Sequence, residues 1–164
     1  MNRRITVLSL LILFAVVTAT GLTRSTSAMM PDSGPSASGH GNLTTGGELR
    51  TFSFTAVTHK DGTVTGQAQL ISRASDTRIH IEINCLRVVG NTASMSGTIT
   101  NSNVPAFEGL PVIFRVQDNG EGANDPADRI SLVFIFLAGT PINCNSNFFT
   151  PLIPIDDGNI QVRP

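Results

Sequence analysis

An acidic segment in the second half of the chain, residues 118–128, holds the densest set of oxygen ligands in the sequence. Its four carboxylates are Asp118, Glu121, Asp125 and Asp128. Closely spaced carboxylate and amide oxygens are the ligands that Ca²⁺ prefers. The spacing departs from the EF-hand loop, which needs acidic residues at alternate positions and a final Glu. Two interpretations therefore stay open: a calcium site, or a long loop held by its own hydrogen bonds, because Asp, Asn and Gly are common in turns.

His80 and Glu82 are a second candidate site, formed by two polar residues at alternate positions. Alternate residues of a strand point to the same side and lie about 7 Å apart. Such a pair suits two metal ligands or an acid and a base. No third ligand is close in sequence, since the other histidines are His40 and His59. The alternative is the solvated side of an amphipathic strand.

Cys85 and Cys144 are the only cysteines. In an exported chain an even number of cysteines favours disulfides. The pair has neither the Cys-x-x-Cys spacing of redox motifs nor the spacing of a zinc site. We therefore predict one structural disulfide, which closes a loop of about sixty residues and contributes about 4 kcal/mol in the chain-entropy model.

Composition excludes several classes of function. The net charge of -1 provides no basic surface for nucleic acid. All nine aromatic residues are Phe, so the Trp and Tyr side chains that often anchor ligands are missing. The sequence has no Gly-x-Ser-x-Gly motif, which removes the usual signal of a serine hydrolase. These observations favour a protein that is not an enzyme.

The N-terminus has the three parts of a secretory signal. Arg3 and Arg4 precede an apolar run over residues 5–17, and small residues follow. We predict a signal peptide at residues 1–19, with cleavage after Ala28 as the alternative. The run is shorter than the roughly 20 residues that span a bilayer, and no later segment is apolar enough. The mature protein is thus expected to lack a transmembrane segment and to be secreted, extracellular or periplasmic.

The remaining chain is predicted to be a linker and one domain. Residues 20–38 are rich in Ser, Gly and Pro, which is typical of a flexible linker. Residues 39–164 form the domain, because one domain of about 100–150 residues suits this length. Within it, hydrophobic and polar residues alternate, as in half-buried strands.

Individual strands follow from the alternation. Phe52 and Phe54 share one face of a strand, and an Asp-Gly pair at residues 61–62 predicts a hairpin. A later strand places three isoleucines and Cys85 in one stripe, opposite His80 and Glu82. Residues 130–137 are almost all apolar and predict a strand covered on both faces.

No segment shows the 3.6-residue period of a helix, and β-branched residues are abundant. The sequence therefore predicts an all-β fold, an antiparallel meander of about seven to eight strands. A closed or partly open β-barrel is favoured over a β-sandwich, because sequential hairpins need no crossover. The last strand, at residues 160–162, would return to the first.

Several motifs together resemble a family of uncharacterised exported bacterial proteins. The motifs are GELRTFSF at residues 47–54, DGTVTG at 61–66, CLRVVGN at 85–91, DNGEGAN at 118–124 and GNIQV at 158–162. The resemblance spans about residues 39–162. It implies export and a paired Cys85 and Cys144, and it brings no activity or catalytic residue with it.

These points together predict a secreted, non-enzymatic β-barrel module with a binding or structural role at the cell exterior. No cofactor is predicted, and a calcium ion in the 118–128 loop is the alternative. One alternative is a small secreted enzyme or metal-dependent protein that uses His80 and Glu82 or the 118–128 loop. Another is a carrier that holds a small hydrophobic ligand in the barrel.

Overall fold

The computed structural model describes residues 33–122, 124–146 and 151–164. The predicted signal peptide, both of its cleavage points and most of the predicted linker lie outside the described residues.

The described chain is all-β, with 61% of its residues in strands, and its ten antiparallel strands form a strongly curled half-barrel. The only helical element described is a short 3-10 turn at Pro105–Phe107. The strands are β1 (Ser33–Thr45), β2 (Glu48–His59), β3 (Val64–Ser72), β4 (Thr77–Val89), β5 (Thr92–Ser102), β6 (Pro111–Gln117), β7 (Arg129–Ile130), β8 (Phe134–Ile135), β9 (Ile153–Pro154) and β10 (Asp157–Arg163).

Strand order confirms the predicted antiparallel meander and partly open barrel. The order is β10-β1-β2-β3-β4-β5-β6-β7-β9, and β8 also pairs with β6. The last strand pairs with β1, with Ala37 opposite Val162 and Asn42 opposite Asp157. It does not pair with β2, the strand of Phe52 and Phe54, which is the first strand that the sequence predicts. The structure has more strands than the seven or eight predicted because β7, β8 and β9 contain only two residues each.

The first strand lies partly where a linker was predicted. β1 begins at Ser33, so the prediction of a flexible linker over residues 20–38 is wrong for residues 33–38. Small residues conceal this strand in the sequence, because its inward positions include Ala37 and Gly39 rather than the larger apolar residues that mark a strand. A Cβ atom at Gly39 would lie 2.8 Å from the Phe54 ring and 2.9 Å from the Ile160 side chain. The small inward residues thus make room for larger side chains of the neighbouring strands.

The concave side of the sheet is a packed core. Phe54 lies between two other rings, with centroid distances of 6.2 Å to Phe52 and 5.9 Å to Phe114. Ile81 and Met95 are completely buried. Apolar residues at alternate positions of β2 to β6 supply much of this core, which is the physical reason why the alternation in the sequence predicts these five strands.

A β-bulge in β4 changes which face Cys85 occupies. The register shifts between Ile83, which pairs with Gly97, and Cys85, which pairs with Ser96. Leu86 beyond the bulge packs against the core, so Cys85 faces the opposite side, here called the outer face. The predicted single stripe of three isoleucines and Cys85 is therefore wrong at Cys85, because one extra residue reverses the alternation.

Residues 130–137 also differ from the prediction of one continuous, doubly covered strand. They contribute one residue to β7 and both residues of β8, separated by residues 131–133. Ser131 interrupts the strand: its backbone N–H donates to the Arg115 carbonyl (2.8 Å), and its hydroxyl accepts from the Arg115 N–H (2.9 Å). Leu137 at the end of this segment is 81% exposed.

Candidate functional site

The acidic loop lies between β6 and β7 and contacts the last strand, β10. Asp128 is 6% exposed. Its Oδ1 accepts the backbone N–H of Asn119 at 2.8 Å, and its Oδ2 accepts the backbone N–H of Ile160 at 2.7 Å. Asp128 therefore both closes its own loop and holds β10.

Asp118 acts on the same strand from the other end of the loop. Its Oδ2 accepts the backbone N–H of Val162 at 2.9 Å, while its Oδ1 accepts that of Gly120 at 2.9 Å. Ile160 and Val162 are alternate residues, so their N–H groups point to the same edge of β10. This is the edge away from β1, where a further strand would otherwise supply carbonyl acceptors. At this edge of β10, the carboxylates of Asp118 and Asp128 thus take the place of the carbonyl acceptors of a neighbouring strand.

The other two acidic residues of the loop, Glu121 and Asp125, are exposed and accept hydrogen bonds from other groups. Glu121 Oε1 accepts the side-chain amides of Asn159 at 2.9 Å and Gln161 at 2.7 Å. These two hydrogen bonds, first that from Asn159, lower the pKa of the Glu121 carboxyl below its ordinary value. Asp125 accepts the backbone N–H of Gly122 at 2.7 Å and stabilises the loop locally.

Calcium binding by this loop stays a prediction. Within the described ranges, no group of three or more His, Cys, Asp or Glu residues is arranged to hold a metal ion. Each of the four predicted ligands already accepts at least one hydrogen bond, so the alternative interpretation, a loop held by hydrogen bonds, has direct support. Its hydrogen bonds extend beyond the loop itself to β10.

We expect the Glu121 contacts to make stability depend on pH. Because the folded-state pKa is lowered, the stabilisation is complete above the ordinary carboxyl pKa of 4.5 and is lost as the pH falls through the folded-state value. Glu121→Gln should flatten the acid limb of a plot of unfolding free energy against pH. Urea unfolding between about pH 3 and pH 6 measures this.

Glu82→Gln is the matched control, because Glu82 is an exposed carboxylate of the sheet for which the structure shows no hydrogen bond. An equal flattening in both variants would show that the Asn159 and Gln161 contacts do not cause the effect.

His80 and Glu82 lie on the outer face of β4, as their alternation predicts. In the register, His80 stands between Gln69 and Asn101, and Glu82 stands between Gln67 and Thr98. The described residues contain no group of three or more His, Cys, Asp or Glu residues that could hold a metal ion, so no such group includes His80 or Glu82. Their surroundings are those of a solvated strand face, and their use as ligands or as an acid–base pair stays a prediction.

The predicted disulfide between Cys85 and Cys144 is confirmed. The two Cα atoms are 5.5 Å apart, and the bond links β4 to the segment that follows β8. The Cys144 backbone N–H also points to the Cys85 sulfur at 3.2 Å. The bond holds this segment against the outer face of the sheet, where Cys144 is 2% exposed.

A polar concavity on the outer face beside this segment was not predicted. It encloses about 300 Å³ and is lined by residues of β4, β5 and β6 together with Ser146. Arg87 and Arg115 lie on two of these strands, each paired in register with Ser94 on the strand between them. The sequence alone does not predict that Arg87 and Arg115 lie close together, because this depends on the strand register and on the bulge at Cys85.

The core leaves very little space. The cavity between the Phe52, Phe54 and Phe114 rings and their neighbours is about 10 Å³. A cavity of this size holds at most one water molecule. Within the described part of the chain, this volume weighs against the carrier alternative, which needs a pocket of several hundred Å³.

Comparison with models of known families, with curated proteins and with solved structures finds no match for this chain. The resemblance to exported bacterial proteins therefore rests on the sequence motifs alone. Among the described residues, no helix has the length and apolar character needed to cross a membrane.

Proposed function

We propose that the chain is an exported, non-enzymatic β module that has a binding or structural role at the cell exterior. The observation that carries this proposal is the use of the buried acidic residue of the 118–128 loop. Both oxygens of Asp128 accept backbone N–H groups, so the carboxylate best shielded from water is engaged in holding the fold.

Two further features support the proposal. The core is filled by aromatic and aliphatic side chains, which leaves loops and the outer face as places for contact with other molecules. The disulfide fits an oxidising compartment, where such bonds form and persist. Export is also what the N-terminal sequence predicts.

Expression of the full chain in a bacterial host tests the export. We expect the protein outside the cytoplasm, with an N-terminus at Thr20 or, for the alternative cleavage, Met29. Leu11→Arg, which places a charge in the apolar run, is the control and should leave the chain in the cytoplasm. Retention of the unaltered chain inside the cell, with residues 1–19 still attached, would contradict export.

Assays with chromogenic esters, phosphate esters and glycosides test the absence of catalysis in the same purified protein. We expect no turnover above that of buffer. Turnover that is abolished by His80→Ala or Glu82→Ala would contradict the proposal and favour the enzyme alternative.

A further inference from the structure

The outer-face concavity contains two positive charges that no described residue neutralises. Arg87 and Arg115 both line it, and no carboxylate does. The structure shows no ion pair for either guanidinium in the described ranges, and it shows no hydrogen bond from either side chain. The sequence is slightly acidic overall, with a net charge of -1, so the two arginines make this concavity a local concentration of positive charge.

Arg115 is held in an unusual state. Its Nε is buried and lacks a hydrogen-bond partner, and it is the single such side-chain atom among the described residues. A buried donor without an acceptor is unfavourable, and its presence in a folded protein calls for an explanation such as a bound ion or water. The backbone N–H and C=O of Arg115 both form hydrogen bonds with Ser131, so this side chain begins from a rigid position.

The strand register brings the two arginine residues to one part of the outer face. Arg87 on β4 and Arg115 on β6 flank Ser94 of the intervening strand β5, so their Cα atoms are about 10 Å apart on the same face. Arginine side chains are long enough to converge from this distance on a single group. Ser94 and Ser146 also line the concavity, and their hydroxyl groups add hydrogen-bond donors.

We propose that this concavity binds an oxyanion, namely a carboxylate, sulfate or phosphate group. Guanidinium groups match the geometry of these anions and bind them through paired, charge-assisted hydrogen bonds. The apolar side chains of Val89 and Ile113 line the same space and can contact the remainder of the ligand. The inference rests on the proposed function only in treating the domain as a binding module, and it adds the place and the chemical class of ligand.

Titration of the mature, oxidised protein with inorganic phosphate, sodium sulfate and sodium glucuronate tests the site. Amide NMR spectra are recorded at constant ionic strength maintained with sodium chloride. We expect saturable shifts at residues 87, 94, 115 and 146 with one or more of these anions. Binding of phosphate and sulfate alone indicates a tetrahedral group, and binding of glucuronate indicates a carboxylate. The absence of saturable binding by all three would overturn the proposal.

Variants locate the binding. Arg115→Gln and Arg87→Gln should each raise the dissociation constant about tenfold or more, because each removes charge-assisted hydrogen bonds. Arg73→Gln is the matched control, since Arg73 is an exposed arginine between β3 and β4 and is expected to leave affinity unchanged. If Arg115→Gln does not fold, the affinity of Arg87→Gln decides the result, because Arg87 is exposed and its replacement should not disturb the fold. Equal affinities for Arg87→Gln, Arg73→Gln and the unaltered chain would overturn the site.

The test separates this inference from the proposed function. Export and turnover are measured on the same preparation. If the exported protein binds none of the three anions and shows no turnover, the oxyanion site is ruled out and the proposed function is unaffected. Turnover that depends on His80 or Glu82 removes the proposed function, whatever the anion titration shows.

Discussion

Replacing both Cys85 and Cys144 with alanine is expected to lower the free energy of unfolding by about 4 kcal/mol. The disulfide spans 59 residues of sequence, and this long link restricts the unfolded chain. Without the bond, the unfolded state gains conformational freedom, while the core on the concave side of the sheet is unchanged. Urea unfolding of the oxidised chain and of the double variant measures the difference.

The unaltered chain after reduction is the matched control, because it lacks the bond and keeps both sulfur atoms. It should lose nearly as much stability as the double variant. A double variant within about 1 kcal/mol of the oxidised chain would contradict this prediction and would mean that the link hardly restricts the unfolded state.

A second large loss of stability is expected where the acidic loop forms hydrogen bonds with β10. Asp128→Ala should lower the free energy of unfolding by about 3 kcal/mol, because it leaves the buried N–H of Ile160 without its acceptor. Asp128→Asn should be similarly unfavourable. An amide offers only one acceptor oxygen, and its NH₂ group would face an N–H donor. Denaturant unfolding gives the free energy, and amide hydrogen exchange locates the loss.

We expect the faster exchange to concentrate at the amides of Ile160 and Val162. Asp125→Asn is the matched control in the same loop, because Asp125 is exposed and bonds only to Gly122 within the loop. It should change stability by about 0.5 kcal/mol or less. Full protection of the Ile160 amide in Asp128→Ala would show that the carboxylate does not hold this strand.

The acidic loop shows how far residue types can be interpreted without a structure. Four carboxylates within eleven residues predicted either a calcium site or a loop held by hydrogen bonds. The second interpretation has structural support, but its acceptor role toward β10 was not foreseen. The partners of Asp118 and Asp128 in β10 are backbone N–H groups more than thirty residues further along the chain. No local pattern in the sequence encodes such a contact.

β1 and the bulge at Cys85 show two other limits of the sequence. β1 escaped prediction because its inward residues before Leu43, such as Ala37 and Gly39, are small, so the usual contrast between hydrophobic and polar positions is weak. The bulge reverses the faces of β4 beyond Ile83, and one inserted residue leaves no mark in composition. A Cβ atom at Gly97 would collide with the Glu82 carbonyl, which explains the glycine opposite the bulge only after the pairing is known.

The sequence by itself determined the all-β class, the antiparallel meander and the pairing of the two cysteines. These features follow from alternation, turn residues and the count of cysteines, which are local or compositional properties. Only the tertiary structure decided what the carboxylates of the 118–128 loop bond to and which side of the sheet carries Arg87 and Arg115. Those answers depend on strand register and on contacts between distant segments, and the energies that select them arise only when the whole sheet is assembled.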